Sequence, residues 1–484
     1  MDTSDSKYIK SRTLEIDVPE KSPFENDKLE REKTATILTD IVSFYGQSGC
    51  VMALNGEWGA GKSTFVRMWK QSLINNGFKT LYFNAWNSDY TDDPLLAMVS
   101  ELRELSPNSG KINSIAGKAG RIMGRVLISA SKGLVKKATG VDCDDLLNTA
   151  LDTTEEIGEE YLKKFEEQKT TVEEFKVEVE HFVADNATEK PVVFFVDELD
   201  RCNPHYAVAV LERIKHLFDI PNIIFILAIN KKELCNAIQG YYGSTNINSE
   251  EYLRRFIDIE YTLTKPNMEV YCNHLYNEYG FAEFFENENR KRYFRGDREV
   301  ESFKAMTIAI SNSEQVNLRQ IERVFAYARL ALMQFKENNF VLPNIYFLLC
   351  FWKVMNPDFY NKIRTKELSN QELLSHIERI LPKKLLITDK YQTRNRGIYY
   401  TIASLIYCYD ITTIDGRGVR ERTIEFIRNE EKRKNEFTFT TLILDKDLFD
   451  EALNWYCNEN HSREYEGGLS FIFNRIDLLE RFEI

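Results

Sequence analysis

The sequence contains a glycine-rich segment whose residue types suit phosphate binding. Residues 56–64 read Gly-Glu-Trp-Gly-Ala-Gly-Lys-Ser-Thr and match the pattern G-x-x-x-x-G-K-[S/T] in full. The glycines let the backbone curl so that successive N–H groups point at phosphate oxygens, and a following helix adds the positive end of its dipole. The pattern predicts that a nucleotide binds at Gly56, Glu57, Trp58, Gly59, Ala60, Gly61, Lys62, Ser63 and Thr64.

Four side chains have the chemistry needed to act on a bound nucleotide. Lys62 is expected to reach the β- and γ-phosphates of ATP, and the Ser63 hydroxyl is expected to bind Mg²⁺. Asp197 directly follows an apolar run and is the expected second Mg²⁺ ligand. Glu198 is placed next to it to accept a proton from an attacking water. These residues predict an Mg²⁺-dependent ATPase in which Lys62 and Glu198 are catalytic.

The residues that follow have more than one interpretation. Asp200 and Arg201 could orient Glu198, face a neighbouring subunit, or form a local salt bridge. Asn230 ends the next apolar run, where ATPases of this type place a polar residue that senses the γ-phosphate. We expect Asn230 to act in catalysis, and a turn residue at the end of a strand is the alternative.

Five short apolar runs would form the sheet that positions these residues. The glycine-rich segment joins the first run to a helix predicted over 65–73, and Asn203-Pro204 is a typical helix start. Alternating buried strands and helices indicate a parallel sheet that is covered on both faces. The predicted strands are Cys50–Leu54, Thr80–Asn84, Pro191–Val196, Ile223–Ile229 and Asp258–Leu263.

The order of these elements predicts the fold class. One strand, Thr80–Asn84, separates the phosphate-binding helix from the strand before Asp197, and a glutamate follows that aspartate. This order favours the ATPase (ASCE) branch of P-loop proteins over the kinase–GTPase branch. The predicted fold is an α/β P-loop NTPase core with a parallel sheet, a helical insertion between the two motifs, a helical lid and a mostly helical C-terminal region.

Composition limits the partners and the compartment. Hydrophobic residues make up 43% of the chain, which excludes a largely disordered protein. The net charge is −12, so nucleic acid is a disfavoured partner, although a local basic patch keeps it open. The eight cysteines form no C-x-x-C pair, which indicates buried thiols in a reducing compartment and no zinc or iron–sulfur site. With a polar N-terminus and no apolar run of roughly 18–20 residues, we expect a soluble cytoplasmic protein.

Changes in pattern along the chain predict four regions. Residues 1–28 are a polar arm, and residues 29–264 are the nucleotide-binding core with a helical insertion over 94–186. Residues 265–340 are a helical lid, and residues 341–484 are a mostly helical domain of unknown role. Within it we expect a short strand at Phe437–Leu444 and a solvated helix face at Arg417–Asn435.

These motifs in this order resemble the KAP family of P-loop NTPases over roughly residues 25–335. Besides the glycine-rich segment, the resemblance rests on Phe83-Asn-Ala-Trp86 and on Phe195-Val-Asp-Glu-Leu-Asp-Arg-Cys-Asn-Pro204. The remaining matching segments are Asp93-Pro94, Phe225-Ile-Leu-Ala-Ile-Asn230, Tyr252-Leu-Arg-Arg-Phe256 and Asn317-Leu-Arg-Gln-Ile-Glu-Arg323.

The resemblance implies a nucleotide-driven switch, and it adds three arginines to the candidate site. By similarity, Arg319 is the lid arginine that contacts the γ-phosphate, and Arg254 or Arg255 makes a second phosphate contact. Members are often tied to membranes or, in bacteria, encoded as defence against phage. Family members commonly have Asp-Asp where this chain has Asp197-Glu198, and often aspartate at the position of Asn230.

The interval 105–141 is a basic insert, where many family members have membrane spans. It contains no Asp or Glu, and its cations recur at helical spacing beside an apolar stripe that includes Ile115 and Ile122. Packing against the chain's own acidic helix, around 155–180, is the first interpretation. Peripheral contact with an anionic membrane, a protein partner or sister subunit, and nucleic acid are the alternatives. The cations on one helical stripe are Lys111, Lys118, Arg121, Arg125, Lys132 and Lys136.

Three functions are therefore compared. The first is an ATPase of the KAP type that uses ATP and Mg²⁺ and repositions a protein partner or its own copies. The second is a scaffold that keeps ATP as a structural ligand without hydrolysing it. The third, a small-molecule phosphotransferase, is disfavoured by the Asp197-Glu198 pair.

Overall fold

Five parallel strands form the main sheet in the computed structural model of this chain. Each strand lies within one residue of a predicted strand at both ends, so the predicted parallel sheet is confirmed. The strand order is β2-β3-β4-β1-β5, which places β4 between the strand that leads into the glycine-rich loop and the strand that ends at Asp197. The strands are β1 Cys50–Asn55, β2 Lys79–Asn84, β3 Val192–Asp197, β4 Ile223–Ile229 and β5 Ile259–Thr262.

The structure describes residues 17–46, 48–123, 155–187, 189–294, 296–313, 316–382, 393–412, 424–429, 434–457 and 469–477. The chain divides into two compact units, one of residues 15–264 and one that includes residues 265–484. Among the described residues, no helix has both the length and the apolar character that crossing a bilayer requires. Six of the seven described cysteines are buried, as the sequence predicts.

The register of the sheet brings the ends of four strands together. Asn84 pairs with Asp197 across β2 and β3, Asp197 pairs with Ala228, and Asn55 pairs with Ile229. Every residue of β3 and β4 is buried, because helices cover both faces of these central strands. The carboxyl edge of the sheet is therefore the place where the loops of β1, β2, β3 and β4 meet.

Eight helices are described in the first unit, and two separate apolar cores lie on the two faces of the sheet. Side chains of β3 alternate between these cores, as the period of a strand requires: Phe194 packs in one and Phe195 in the other. The helices are α1 Glu32–Phe44, α2 Lys62–Asn75, α3 Leu95–Leu102, α4 (111–123), α5 Glu155–Asn186, α6 Pro204–Leu217, α7 Lys231–Tyr242 and α8 Ser249–Leu253.

The described part of the basic insert packs against the acidic helix of the same unit. Ile115 and Ile122 of α4 are buried, and Lys118 is bonded to Glu174 at 2.9 Å and to Glu178 at 2.8 Å, both on α5. Lys111 also pairs with α5. These contacts confirm internal packing for residues 111–123. Arg125, Lys132 and Lys136 lie outside the described residues.

The second unit is helical around one continuous core that runs from Cys272 to Ile476. This core includes residues from both regions predicted as lid and C-terminal domain, so the division at residue 340 stays a prediction. The helices are α9 Met268–Glu278, α10 Phe281–Phe285, α11 Glu288–Lys291, α12 Gly296–Ser311, α13 Leu318–Leu332, α14 Pro343–Met355, α15 Pro357–Arg364, α16 Asn370–Ile380, α17 Thr393–Ile411, α18 Lys446–Cys457 and α19 Ser470–Ile476.

Two expectations for the second unit are wrong. The strand expected at 437–444 does not extend past Phe437, because the N–H groups of residues 442–444 donate to the buried Glu378 carboxylate instead of to a strand. The stretch expected as a helix face at 417–435 instead contains β6 Phe426–Asn429 and the start of β7 Lys434–Phe437. These strands pair antiparallel with each other, a contact that charge content does not predict.

Candidate functional site

The glycine-rich loop joins β1 to α2 in the conformation that its glycines permit. Gly59 and Gly61 have φ of +77° and +80°, a left-handed region that is costly for other residues. The N–H of Gly56 donates to the carbonyl of Ile229 at 3.0 Å, which fixes the start of the loop to β4. The loop thus leads directly into the N-terminus of α2, where an anion is favoured.

The Lys62 side chain contacts the backbone of the glycine-rich loop that is predicted to bind phosphates. Its Nζ donates to the carbonyl of Gly56 at 2.6 Å and to that of Glu57 at 3.2 Å. The side chain is buried, and burial lowers the pKa of Lys62, while the charges of Asp200 and Asp197 act in the opposite direction. A buried ammonium at the end of the glycine-rich loop is well placed to hold a phosphate.

Asp197 ends β3 as a buried carboxylate with hydrogen bonds to both oxygens. The Tyr82 hydroxyl donates to Oδ2 at 3.0 Å, and the N–H of Glu198 donates to Oδ1 at 2.8 Å. The Ser63 hydroxyl, from the first turn of α2, lies beside this carboxylate and acts to lower its pKa. Burial raises the pKa of Asp197 despite these bonds, and it also raises the pKa of Tyr82.

The contact between Ser63 and Asp197 fits a magnesium site. Mg²⁺ prefers oxygen ligands and usually takes only one or two from protein side chains, the rest coming from phosphates and water. Among the described residues, no group of three or more His, Cys, Asp or Glu side chains could hold a metal by itself. One hydroxyl and one carboxylate suit a metal whose other ligands come from a nucleotide and water.

Glu198 is held beside this carboxylate in an unusual backbone conformation. Its φ is +59°, and non-glycine residues in this region are concentrated at functional sites. Asn84 Nδ2 donates to Glu198 Oε2 at 3.3 Å, and Arg201 Nη2 pairs with Oε1 at 3.1 Å. The Arg201 guanidinium also lies 5.3 Å from the ring centre of Trp86. Arg201 thus forms a local salt bridge that orients Glu198.

Asp200 connects the two motifs of the site. The indole N–H of Trp58, in the glycine-rich loop, donates to Asp200 Oδ2. Asp200 lies in the short helical turn Leu199–Arg201, directly after Glu198. The glycine-rich loop and the turn that positions Glu198 are therefore joined by one side-chain hydrogen bond.

Of the remaining predicted site residues in this unit, Asn230 lies at the sheet edge, and Arg254 and Arg255 are exposed. Asn230 follows β4 at the same sheet edge, and its side chain caps α7 by accepting from the N–H of Glu233 at 3.5 Å. Arg254, at the end of α8, is exposed and pairs with Glu251 at 2.9 Å, and Arg255 is exposed.

Arg319 belongs to the second unit, in the first turn of α13, where it is exposed and lies near Glu322. Its expected phosphate contact stays a prediction.

Arg31 is a candidate residue that sequence patterns did not reveal. It immediately precedes α1 and is buried, with Nη1 3.4 Å from the carbonyl of Gly61. Its Nη2 is also buried and has no hydrogen-bond partner, and burial lowers the pKa of Arg31 to about 10. A buried guanidinium nitrogen without a partner is costly, and a bound ligand would supply that partner.

Loop, sheet order and the Asp197-Glu198 pair define this unit as a P-loop nucleotide-binding domain. The family model described as "KAP family P-loop domain" matches residues 31–330. The chain belongs to the KAP family of P-loop NTPases. The fold class predicted from the sequence is confirmed.

Two solved structures are similar to the chain, both at 12% sequence identity. The structure of Drosophila ORC bound to DNA covers 95% of this chain and 98% of its own, with a TM-score of 0.35. The structure of the Aeropyrum pernix ORC2 protein in ADPNP-ADP complexes covers 90% of this chain and 95% of its own, with a TM-score of 0.32. A search among curated protein sequences gave no match.

The burial of Asp197 predicts that Asp197→Asn stabilises the protein in the absence of nucleotide and metal. A carboxyl whose pKa is raised by folding lowers the stability of the folded state once the pH rises above its unfolded pKa, and a neutral amide removes that cost. Thermal unfolding in EDTA at pH 7.5 should show a higher midpoint for Asp197→Asn than for the wild type. A lower midpoint would mean that the hydrogen bonds to the carboxylate outweigh its desolvation.

Proposed function

We propose that this chain binds ATP with Mg²⁺ at the P-loop and hydrolyses it, acting as a nucleotide-driven switch. The observation that supports this most is that the Ser63 side chain of the P-loop lies beside the buried Asp197 carboxylate of β3. It brings the two predicted metal ligands together within reach of the phosphate-binding loop. A glycine-rich turn without a ligand would not need a buried carboxylate at this point.

Binding is assigned to the loop and to α2. The N–H groups of residues 56–64 and the N-terminal end of α2 attract the phosphates, and the Lys62 ammonium contacts the β- and γ-phosphates. Mg²⁺ bound at Ser63 and Asp197 would neutralise the charge that develops on the phosphates. These assignments explain why Lys62 and Asp197 are both buried although burying a charged group is costly.

Hydrolysis is assigned to Glu198. Its carboxylate follows the Asp197 carboxylate directly and is oriented by Asn84 and Arg201. It would accept a proton from the water that attacks the γ-phosphate. Asn230 at the end of β4 is proposed to contact the γ-phosphate.

The three arginines Arg254, Arg255 and Arg319 are proposed as phosphate contacts on the family resemblance alone. The proposal leaves open what the switch moves, a protein partner or further copies of this chain.

The roles of Glu198 and Lys62 separate binding from hydrolysis. Glu198→Gln should keep ATP affinity and lower phosphate release by at least about 100-fold, because general-base catalysis is removed. Lys62→Ala should lose ATP binding itself. Both are measured by phosphate release and by titration with a fluorescent ATP analogue, with the exposed Glu173→Gln on α5 as the matched control.

The outcomes test Glu198 as the base and distinguish the ATPase from the scaffold and from the phosphotransferase. A Glu198→Gln protein that releases phosphate at the wild-type rate would exclude Glu198 as the base. A wild-type protein that binds ATP and releases no phosphate would instead support the non-hydrolysing scaffold. Transfer of labelled phosphate to an acceptor other than water would support the phosphotransferase.

Arg31 is proposed to contact the bound nucleotide through its unpartnered Nη2. Arg31→Ala should weaken ATP affinity about tenfold, the expected effect of losing one hydrogen bond to a charged group. Exposed Lys33→Ala, two residues further along the chain, is the matched control and should leave the affinity unchanged. An Arg31→Ala protein with wild-type affinity would show that the burial of Arg31 serves the fold alone.

A role in bacterial defence against phage is proposed from the family resemblance. If it is correct, cells that express the wild-type chain should plate phage less efficiently than cells that express Lys62→Ala at the same level. Equal plating of the two strains with every phage tried would contradict this role and leave the nucleotide chemistry unaffected.

A further inference from the structure

The Tyr82 hydroxyl donates a hydrogen bond to Asp197, the carboxylate of the proposed metal site. Its Oη donates to Asp197 Oδ2 at 3.0 Å, and none of the sequence motifs includes it. The contact follows from the register of the sheet. Tyr82 pairs with Phe195 across β2 and β3, and Asp197 lies two residues further along β3, on the same face as Phe195. A tyrosine at this position is long enough to reach the end of the neighbouring strand.

The two oxygens of Asp197 receive different donors, which fixes the plane of the carboxylate. Oδ1 accepts from the backbone N–H of Glu198 at 2.8 Å, and Oδ2 accepts from Tyr82. With both bonds made, the carboxylate cannot rotate without breaking one of them. Each oxygen keeps a second lone pair for a metal or for a metal-bound water.

Ser63 cannot replace Tyr82 in fixing the orientation of the Asp197 carboxylate. The Ser63 hydroxyl lies beside Asp197, and it is also the predicted metal ligand. A serine oxygen that binds a metal directs a lone pair at it, so its orientation is then set by the metal. Tyr82 has no such second role, so its hydroxyl would stay free to hold Asp197 when a metal binds.

We propose that Tyr82 is a positioning residue that holds the Asp197 carboxylate in the orientation that binds magnesium together with a nucleotide. The assignment rests on the proposed function and deepens it, because it names a residue outside the motifs that sets the metal affinity of the same site. Tyr82 touches neither the phosphates nor the metal. Its effect passes entirely through Asp197.

The test compares nucleotide binding with and without magnesium in Tyr82→Phe. This change removes the hydroxyl and keeps the ring, which lies half-buried on β2 beside Lys70. With fluorescent mant-ADP as the probe, Tyr82→Phe should need about tenfold more Mg²⁺ to reach half of its effect on affinity, as is usual when a partner of a metal ligand is lost. In EDTA the affinity for mant-ADP should equal that of the wild type.

Two further variants distinguish positioning from general loss of structure. Tyr242→Phe, on a half-exposed tyrosine of α7, should behave as the wild type. Asp197→Asn should remove the effect of Mg²⁺, and the double variant Tyr82→Phe/Asp197→Asn should match Asp197→Asn, because Tyr82 acts only through that carboxylate.

The possible results separate this assignment from the proposed function. The assignment is overturned if Tyr82→Phe has the Mg²⁺ dependence of the wild type, or if its affinity falls equally in EDTA and in Mg²⁺. A wild-type protein whose mant-ADP affinity does not respond to Mg²⁺ would overturn the proposed function and this assignment with it.

Discussion

A buried carboxylate at the end of a central strand is the constraint on which the site depends. Asp197 is 1% exposed, and burying a charge is costly unless it is paired. Around it the protein gathers one hydroxyl from α2, one from β2 and one backbone N–H, contributed by three parts of the chain. The parallel sheet is what makes this possible, because it brings the carboxyl ends of β1 to β4 to one edge.

The site is also connected internally. Trp58 and Asp200 join the P-loop to the turn after Glu198, and Arg201 and Asn84 hold the Glu198 side chain. Each of these contacts lies within the first unit. The P-loop therefore contacts the turn that follows Glu198 through the hydrogen bond between Trp58 and Asp200.

Much of the core could be predicted from the sequence because local patterns determine it. The five strands appear as short apolar runs, and the P-loop has a pattern that few other loops share. Pro204 and its capping residue Asn203 begin α6 as expected, with Asn203 accepting from the N–H of Tyr206. Packing of α4 on the acidic helix also follows from complementary charge and apolar spacing.

The parts that could not be predicted depend on contacts between distant segments. Arg31 lies in a charged stretch that is typical of a solvated surface, and only the fold shows that it is buried beside Gly61. Tyr82 becomes notable only once the register of β2 and β3 is known. In the second unit, the N–H groups that a strand at 437–444 would need are used by Glu378.

A structure determined with Mg²⁺ and a non-hydrolysable ATP analogue tests the central claim most directly. We expect phosphates within the loop of residues 56–64 and a metal about 2.0–2.1 Å from the Ser63 hydroxyl, a typical Mg²⁺–oxygen distance. Asp197 should contact that metal directly or through one water. A nucleotide bound away from the P-loop, or a metal with neither Ser63 nor Asp197 among its neighbours, would contradict the account.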